Sequence, residues 1–198
     1  MKVAIVGGTG DFGLALARRL VEAGDEIVIG SRAAERAQEK ATEVGAAAGA
    51  ANEDAVRGVN LVVLATKADA ALSTAAALAA AIGETPVLSV ASDLRSTDAL
   101  SLAQRTQDLL SGPVVAGLHS LAAGKLAHGR PDEDAFVCGD DTGAKELALE
   151  LAAKVVAGRA LDAGPLASAR ALEGLTAVIV NLNKRYKGHA GVRVTGLP

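Results

Sequence analysis

Two rhythms of hydrophobic positions alternate along this chain. Short runs such as "KVAIV", "EIVI" and "LVVL" are apolar or β-branched almost without a break, and the segments between them are alanine-rich with apolar residues three and four apart. Continuous apolar strands suit a sheet covered by helices on both faces, and the wider spacing gives a helix one buried stripe. Strands are predicted over residues 2–7, 26–29, 61–65, 86–90, 114–116, 135–138 and 159–161. Helices are predicted over 12–23, 33–44, 69–82, 97–110 and 143–156, with a last one from Leu166 to about Lys184. The segment "GAAAGAANEDAVRG" gives a weaker signal, a short strand followed by a helical turn capped by Asn52. The alternation is that of βαβ units, so the expected fold is α/β, a doubly wound, mostly parallel sheet. Residues 1–165 form the main domain, and residues 166–198 a helical extension packed on it.

Composition narrows the function. A chain of 198 residues, half of them hydrophobic, has material for one sizeable core. A formal charge of -3 and the lack of basic blocks argue against a nucleic-acid partner. Only 2% of the residues are aromatic, so a flat ligand would meet aliphatic walls and glycine backbone. Cys138 is the sole cysteine, which excludes an internal disulfide framework and reads as a small buried thiol. The N-terminus starts in a strand-like run without a signal-peptide pattern, and the longest apolar stretch, residues 70–83, is too short and polar to span a bilayer. The expectation is a cytoplasmic protein with no membrane partner.

Candidate chemistry begins at "VAIVGGTGDFG", where Gly8, Gly10 and Gly13 follow the first strand and open a helix. Gly8 permits a tight turn, Gly10 lets the backbone approach a pyrophosphate, and Gly13 allows close helix–strand packing, the pattern of a Rossmann dinucleotide site. The helix N-terminus offers unpaired N–H groups and a partial positive charge to the phosphates. About 20 residues on, such folds often carry a carboxylate that binds the ribose 2′-hydroxyl of NAD. Here "EIVIGSRAAER" ends its strand in Ser31 and Arg32, with Arg36 four residues later. Two guanidinium groups and a hydroxyl describe a pocket for the adenosine 2′-phosphate, so the expected cofactor is NADP. The plainer alternative is a solvated arginine pair balancing Glu35 and Glu39.

With "GGTGDFG" and "EIVIGSR", the segments "AGLHSLAAGKLA", "VCGDD" and "LDAGPLASARALEGLT" occur in the same order as in one family. Over most of its length the chain resembles the NADPH-dependent reductases of the deazaflavin coenzyme F420. The resemblance implies reversible hydride transfer between NADPH and C5 of the deazaflavin, a C-terminal helical extension, and a homo-oligomer, a dimer above all. It places phosphate contacts on Ser31, Arg32 and Arg36 and turn contacts on Thr9, Gly10, Asp11 and Phe12. Near the two rings it places Thr9, His119 and Leu121.

The residues themselves suit such chemistry. Hydride transfer between rings needs alignment more than acid–base equipment, and no catalytic triad, metal-ligand cluster or activated thiol can be assembled. His119 is the one histidine at a strand's carboxyl end and the candidate catalytic residue; His128 and His189 read as surface residues. The chain departs from the family at Thr66-Lys67, where an apolar residue and proline are usual, and in the polar loop over 91–98. Thr66 and Lys67 join the cofactor-binding set at the border of the second substrate, where Lys67 and Arg95 favour an anion. Lys184, Arg185, Lys187 and Arg193 read as a solvated helix end or as a lure for the coenzyme's acidic tail. On the residues alone two other readings stay open: an NADPH-dependent reductase of a flavin, imine or carbonyl, and a non-catalytic NADP-binding sensor.

Overall fold

In the computed structural model, which describes residues 1–197, strands and helices alternate from the start of the chain. The elements run β1 (Lys2–Val6), α1 (Asp11–Glu22), β2 (Glu26–Ser31), α2 (Ala34–Val44), β3 (Ala48–Ala51) and α3 (Asn52–Ala55). They continue with β4 (Leu61–Leu64), α4 (Ala68–Ile82), β5 (Val87–Ser89), α5 (Leu102–Gln107), β6 (Val114–Gly117) and α6 (Ala123–His128). The chain then adds β7 (Ala135–Gly139), α7 (Thr142–Val155), β8 (Ala160–Asp162), a 3-10 turn (Leu166–Ser168) and α8 (Ala169–Tyr186). The eight strands form one sheet in the order β3-β2-β1-β4-β5-β6-β7-β8. All neighbours are parallel except β6 and β7, which pair antiparallel.

The continuous apolar strands are explained by two cores. In β1, Val3 and Ile5 face one core with Leu16 and Leu20 of α1 and Leu151 of α7. Ala4 and Val6 face the other, with Ala71, Ala75 and Leu78 of α4, Leu102 of α5 and Leu172 of α8. Successive strand side chains point to opposite faces, so a sheet covered twice leaves little room for polar residues in its central strands, and Ser89, buried at the end of β5, is an exception. No helix among the described residues is long and apolar enough to cross a membrane.

Two local expectations fail, and one helix had no expectation. The helix predicted over 97–110 spans only Leu102–Gln107. Before it, the Asp93 carboxylate accepts from the backbone of Arg95 and Ser96 (3.3 and 3.1 Å), and the Ser96 hydroxyl accepts from Asp98 N (3.1 Å). These side chain–backbone bonds compete with a helix, which starts only where Ser101 and Gln104 cap each other reciprocally. Asn52 does not cap α3 but opens it, the N-cap being Ala51. Helix α6 was not foreseen: six residues between glycine-rich flanks carry too little periodicity to register.

The chain after α8 returns to the sheet. Val192 O accepts from Asp134 N (2.7 Å), Val194 N donates to the Asp134 carboxylate (2.8 Å), and Arg193 pairs with Asp132 (3.0 Å). Residues 188–194 thus strap α8 to the loop that leads into β7. The last residue of the expected extension, Pro198, lies outside the described residues.

Candidate functional site

Because β1, β2, β4, β5 and β6 run parallel, the turns that follow them open on one edge of the sheet. The sheet's order reverses between β1 and β4, whose connections leave in opposite directions, and a crevice at such a switch point is where open α/β sheets bind ligands. The edge gathers residues 7–12, Ser31 and Arg32, Thr66 and Lys67, Ser92, and His119.

At β1 the left-handed turn falls on Gly7, with φ of 80°, and not on Gly8 as its place in the motif suggests. Gly8 and Gly13 are required for closeness instead: a Cβ would stand 2.8 Å from Ile5 O at the first and 2.7 Å from Gly7 O at the second. Gly10 differs. A Cβ there would meet only Gly7 O, at 3.4 Å, and the residue is exposed, so the protein itself leaves room for a side chain. Gly10 is the N-cap of α1 and no side chain caps the helix, which leaves first-turn N–H groups for an anion at the open edge. A cradle that only an outside molecule would fill fits a pyrophosphate. Thr9 and Phe12 flank this turn partly buried, and Asp11 is exposed in the first helical turn.

At β2, Ser31 is nine-tenths buried and its hydroxyl oxygen accepts from Ala33 N (3.3 Å), which leaves the hydroxyl hydrogen free to donate outward. Helix α2 starts at Ala34, one residue later than expected, with Ala33 as an uncapped N-cap. Arg32 and Arg36 are both exposed at this helix start, and neither forms an ion pair among the described residues. No contact short enough for an ion pair joins them to Glu35 or Glu39 among the described residues. The nearby acid that is paired is Glu43, with Lys40 (2.6 Å) and Arg18 (3.7 Å), and those cations, Lys40 first, hold its carboxyl below the usual range.

On the far side of the crevice, the Thr66 hydroxyl after β4 is buried without a partner, and Lys67, exposed, is the N-cap of α4. After β6, Leu118 is buried at φ of 64°, a conformation costly for a side chain with a Cβ and one that recurs where a site is held under strain. The bend presents His119. The residue is 6% exposed, and neither ring nitrogen has a hydrogen-bonding partner among the described residues. Burial pushes its pKa from 6.5 down to about 4, against a weak pull from the Ala91 backbone that reaches no well-formed bond. The imidazole is therefore neutral at physiological pH. Leu121 is largely buried and packs in the core cluster with Leu118 and Leu126. Cys138 lies buried in β7, where desolvation raises its thiol to about 11 and keeps it unreactive.

Two residues at this edge carried no individual signal in the sequence. Thr176 of α8 donates to the His119 carbonyl (2.8 Å), and its oxygen lies 2.9 Å from the Ser92 hydroxyl. Thr176 has one hydrogen to give, so Ser92 donates to Thr176 and Thr176 to His119. Helix α8 also reaches the 91–101 loop through Arg170, which donates to Ser96 O (3.0 Å), and the start of α5 through buried Glu173, which accepts from Leu102 N (2.7 Å). The segment "ARALEGLT" thus ties the strained bend and the polar loop together. Contacts across 57 to 84 residues leave no periodicity to read.

Comparison with known proteins agrees with this geometry. Residues 2–93 match the family described as NADP oxidoreductase, coenzyme F420-dependent. The F420-dependent NADP reductase of Methanothermobacter thermautotrophicus is 35% identical, the match covering 100% of this chain and 96% of that protein. The enzyme of the same name from Methanocaldococcus jannaschii is 34% identical, over 100% and 99%. Among solved structures, a candidate F420-dependent NADP reductase from Arthrobacter sp. FB24 superposes with a TM-score of 0.85 at 25% identity, covering 99% of this chain and all of that one. An imine reductase from Streptomyces aurantiacus shares the fold, with a TM-score of 0.70 at 23% identity over 94% of this chain and 64% of its own. With relatives matched end to end and the same elements in the same order, this chain belongs to the family of coenzyme F420-dependent NADP oxidoreductases.

Proposed function

We infer that this protein is an oxidoreductase that passes a hydride reversibly between NADPH and the deazaflavin coenzyme F420. The observation that carries the reading is the end-to-end likeness to F420-dependent NADP reductases in a chain whose β2 ends in Ser31, with Arg32 next. Bound together, NADPH supplies the hydride and C5 of the deazaflavin receives it, or the reverse. The residues of the chain bind, align and exclude water.

In this reading residues 1–165 hold the nucleotide, with Gly8, Gly10, Gly13 and the backbone of Thr9, Asp11 and Phe12 around the pyrophosphate. Ser31, Arg32 and Arg36 take the 2′-phosphate, and the unpartnered Thr66 hydroxyl faces the cofactor's middle. Lys67 stands at the rim toward the second ring, and Arg95 of the neighbouring loop favours the anionic part of the coenzyme. His119 and Leu121 lie at the ring end. A histidine neutral down to about pH 4 is a poor general acid at pH 7. His119 therefore orients a ring, and the proton at the deazaflavin's N1 edge comes from water, with a backbone N–H able to hydrogen-bond that edge.

The functional unit in this reading is a homodimer of cytoplasmic chains. Val178, Leu182 and Tyr186 stand exposed at helical spacing on the outer side of α8, which supports a second copy docking there. The test of the activity is direct. NADPH should bleach the visible absorbance of added deazaflavin coenzyme when the protein is present and not without it. Turnover of a free flavin, an imine or a carbonyl with none of F420 would overturn the reading.

A further inference from the structure

Asn52 opens the helical turn α3, one residue past the capping position, and its side chain caps nothing. Its Oδ1 is buried and meets no donor. The oxygen lies where Gly30 has no side chain: a Cβ on Gly30 would stand 2.9 Å from it and 3.3 Å from the Ala55 methyl. Against the Cα hydrogens of a glycine an oxygen acceptor sits better than an amino group, so the oxygen is the inward end of the carboxamide. The amide nitrogen has no partner among the described residues and, in a half-buried residue, is open to solvent. The sheet register says where. Ser31 pairs with Ala51 across β2 and β3, so Asn52 comes level with Arg32.

A donor with nothing to bind therefore stands beside the Ser31–Arg32 corner, held by an oxygen wedged on Gly30. We infer that Asn52 is a specificity-determining residue for NADP over NAD, its Nδ2 donating to an oxygen of the adenosine 2′-phosphate. This rests on the nucleotide assignment made above. A bond from a fixed amide to a charged phosphate is stronger than one to the neutral hydroxyl that NADH carries at the same place. Gly30 acquires a reason as well, since any side chain there would displace the amide from the corner.

The test is equilibrium titration of NADPH and of NADH, followed calorimetrically, with unliganded melting temperature recorded for each variant. Asn52→Ala should weaken NADPH about ten-fold and leave NADH within about two-fold. Asn52→Asp, of nearly the same shape, turns the outward donor into a charged acceptor and should weaken NADPH more than alanine does, again sparing NADH. Equal losses for both nucleotides, or a wild-type NADPH affinity in Asn52→Ala, would overturn the inference. Arg32→Ala in parallel separates the two levels. If it too fails to discriminate NADPH from NADH, the phosphate corner itself is wrong. If it discriminates and Asn52→Ala does not, only the role of Asn52 falls.

Discussion

Arg32 and Arg36 are two like charges at one helix start, exposed and without counter-ions among the described residues. Their mutual repulsion, and that of the helix's positive end, would be relieved by a bound dianion. A charge-assisted contact of this kind contributes roughly 1.5–3 kcal/mol. Arg32→Ala should accordingly cost about ten-fold or more in NADPH affinity while NADH changes little; parallel losses would remove the phosphate from this corner. His119 makes a different demand. Its folded pKa of about 4 lies below the unfolded value near 6.5, so the unfolded chain takes up a proton that the folded chain refuses. Stability should fall as pH drops through 6.5 and go on falling to about 4, by on the order of 3 kcal/mol in all. His119→Asn should flatten that slope in denaturant titrations repeated at several pH values. The same burial predicts that the pH profile of kcat/KM shows no step near 6.5 from this residue. An unchanged stability slope in the variant would mean that the ring is not buried as described.

The strap that follows helix α8 is anchored on one buried carboxylate. Asp134 is fully buried and accepts from Arg159 N (2.9 Å), the Arg159 guanidinium (2.8 Å) and Val194 N (2.8 Å). The guanidinium first, with those N–H groups, holds its carboxyl far below the usual range. A depressed carboxyl contributes stability that is present above its unfolded value of about 3.9 and is lost as pH falls below it. Asp134→Asn should lower the melting temperature by roughly 3–6 °C at pH 7. The difference should shrink below about pH 4, and a gap that stayed constant to pH 2 would show that charge is not what matters. None of this latch could be read from the sequence, because Asp134, Arg159 and Val194 are brought together only by the finished fold. What could be read were features written locally: seven of the strands, the long helices, and the turn–helix start after β1. The weak "GAAAGAANEDAVRG" segment did yield β3 and α3, but β3 contains only alanine and glycine and sits at the sheet's edge, where burial imposes no apolar pattern. The strained bend at Leu118 was equally silent, since a leucine forced to positive φ gives no more local warning than any other leucine. At the site, the residues on β1, β2, β4 and β6 were legible from motif position, and the α8 hydroxyl that holds His119 was not.

At the scale of the whole molecule, the end of the long helix α8 brings exposed cations and spare apolar surface together. Near the end of α8, Lys184, Arg185 and Lys187 are exposed, while Arg193 is already taken by Asp132. If those free cations draw in the acidic tail of the coenzyme, each contributes well under about 1 kcal/mol and is screened by salt. Alanine at both Lys184 and Lys187 should then raise KM several-fold for the tailed coenzyme and hardly at all for a tailless core. Equal responses would leave a solvated helix end. The outer stripe makes the larger claim. Val178, Leu182 and Tyr186 are 53%, 41% and 72% exposed, four residues apart, on a helix whose inner side already buries Leu172, Glu173 and Ile179. A helix apolar on two sides, with only one side covered by its own chain, suits a two-fold contact with the same stripe of another copy. Leu182→Glu would place two like charges near that axis and should convert a dimer to a monomer in light scattering. The nucleotide crevice lies at the sheet's carboxyl edge, so NADPH affinity should survive. The bend at His119 is held by Thr176 on the inner side of this helix, so turnover with the deazaflavin should fall further than nucleotide binding does. A variant that stayed dimeric would move the contact to another face, and a wild-type monomer at all concentrations would remove it.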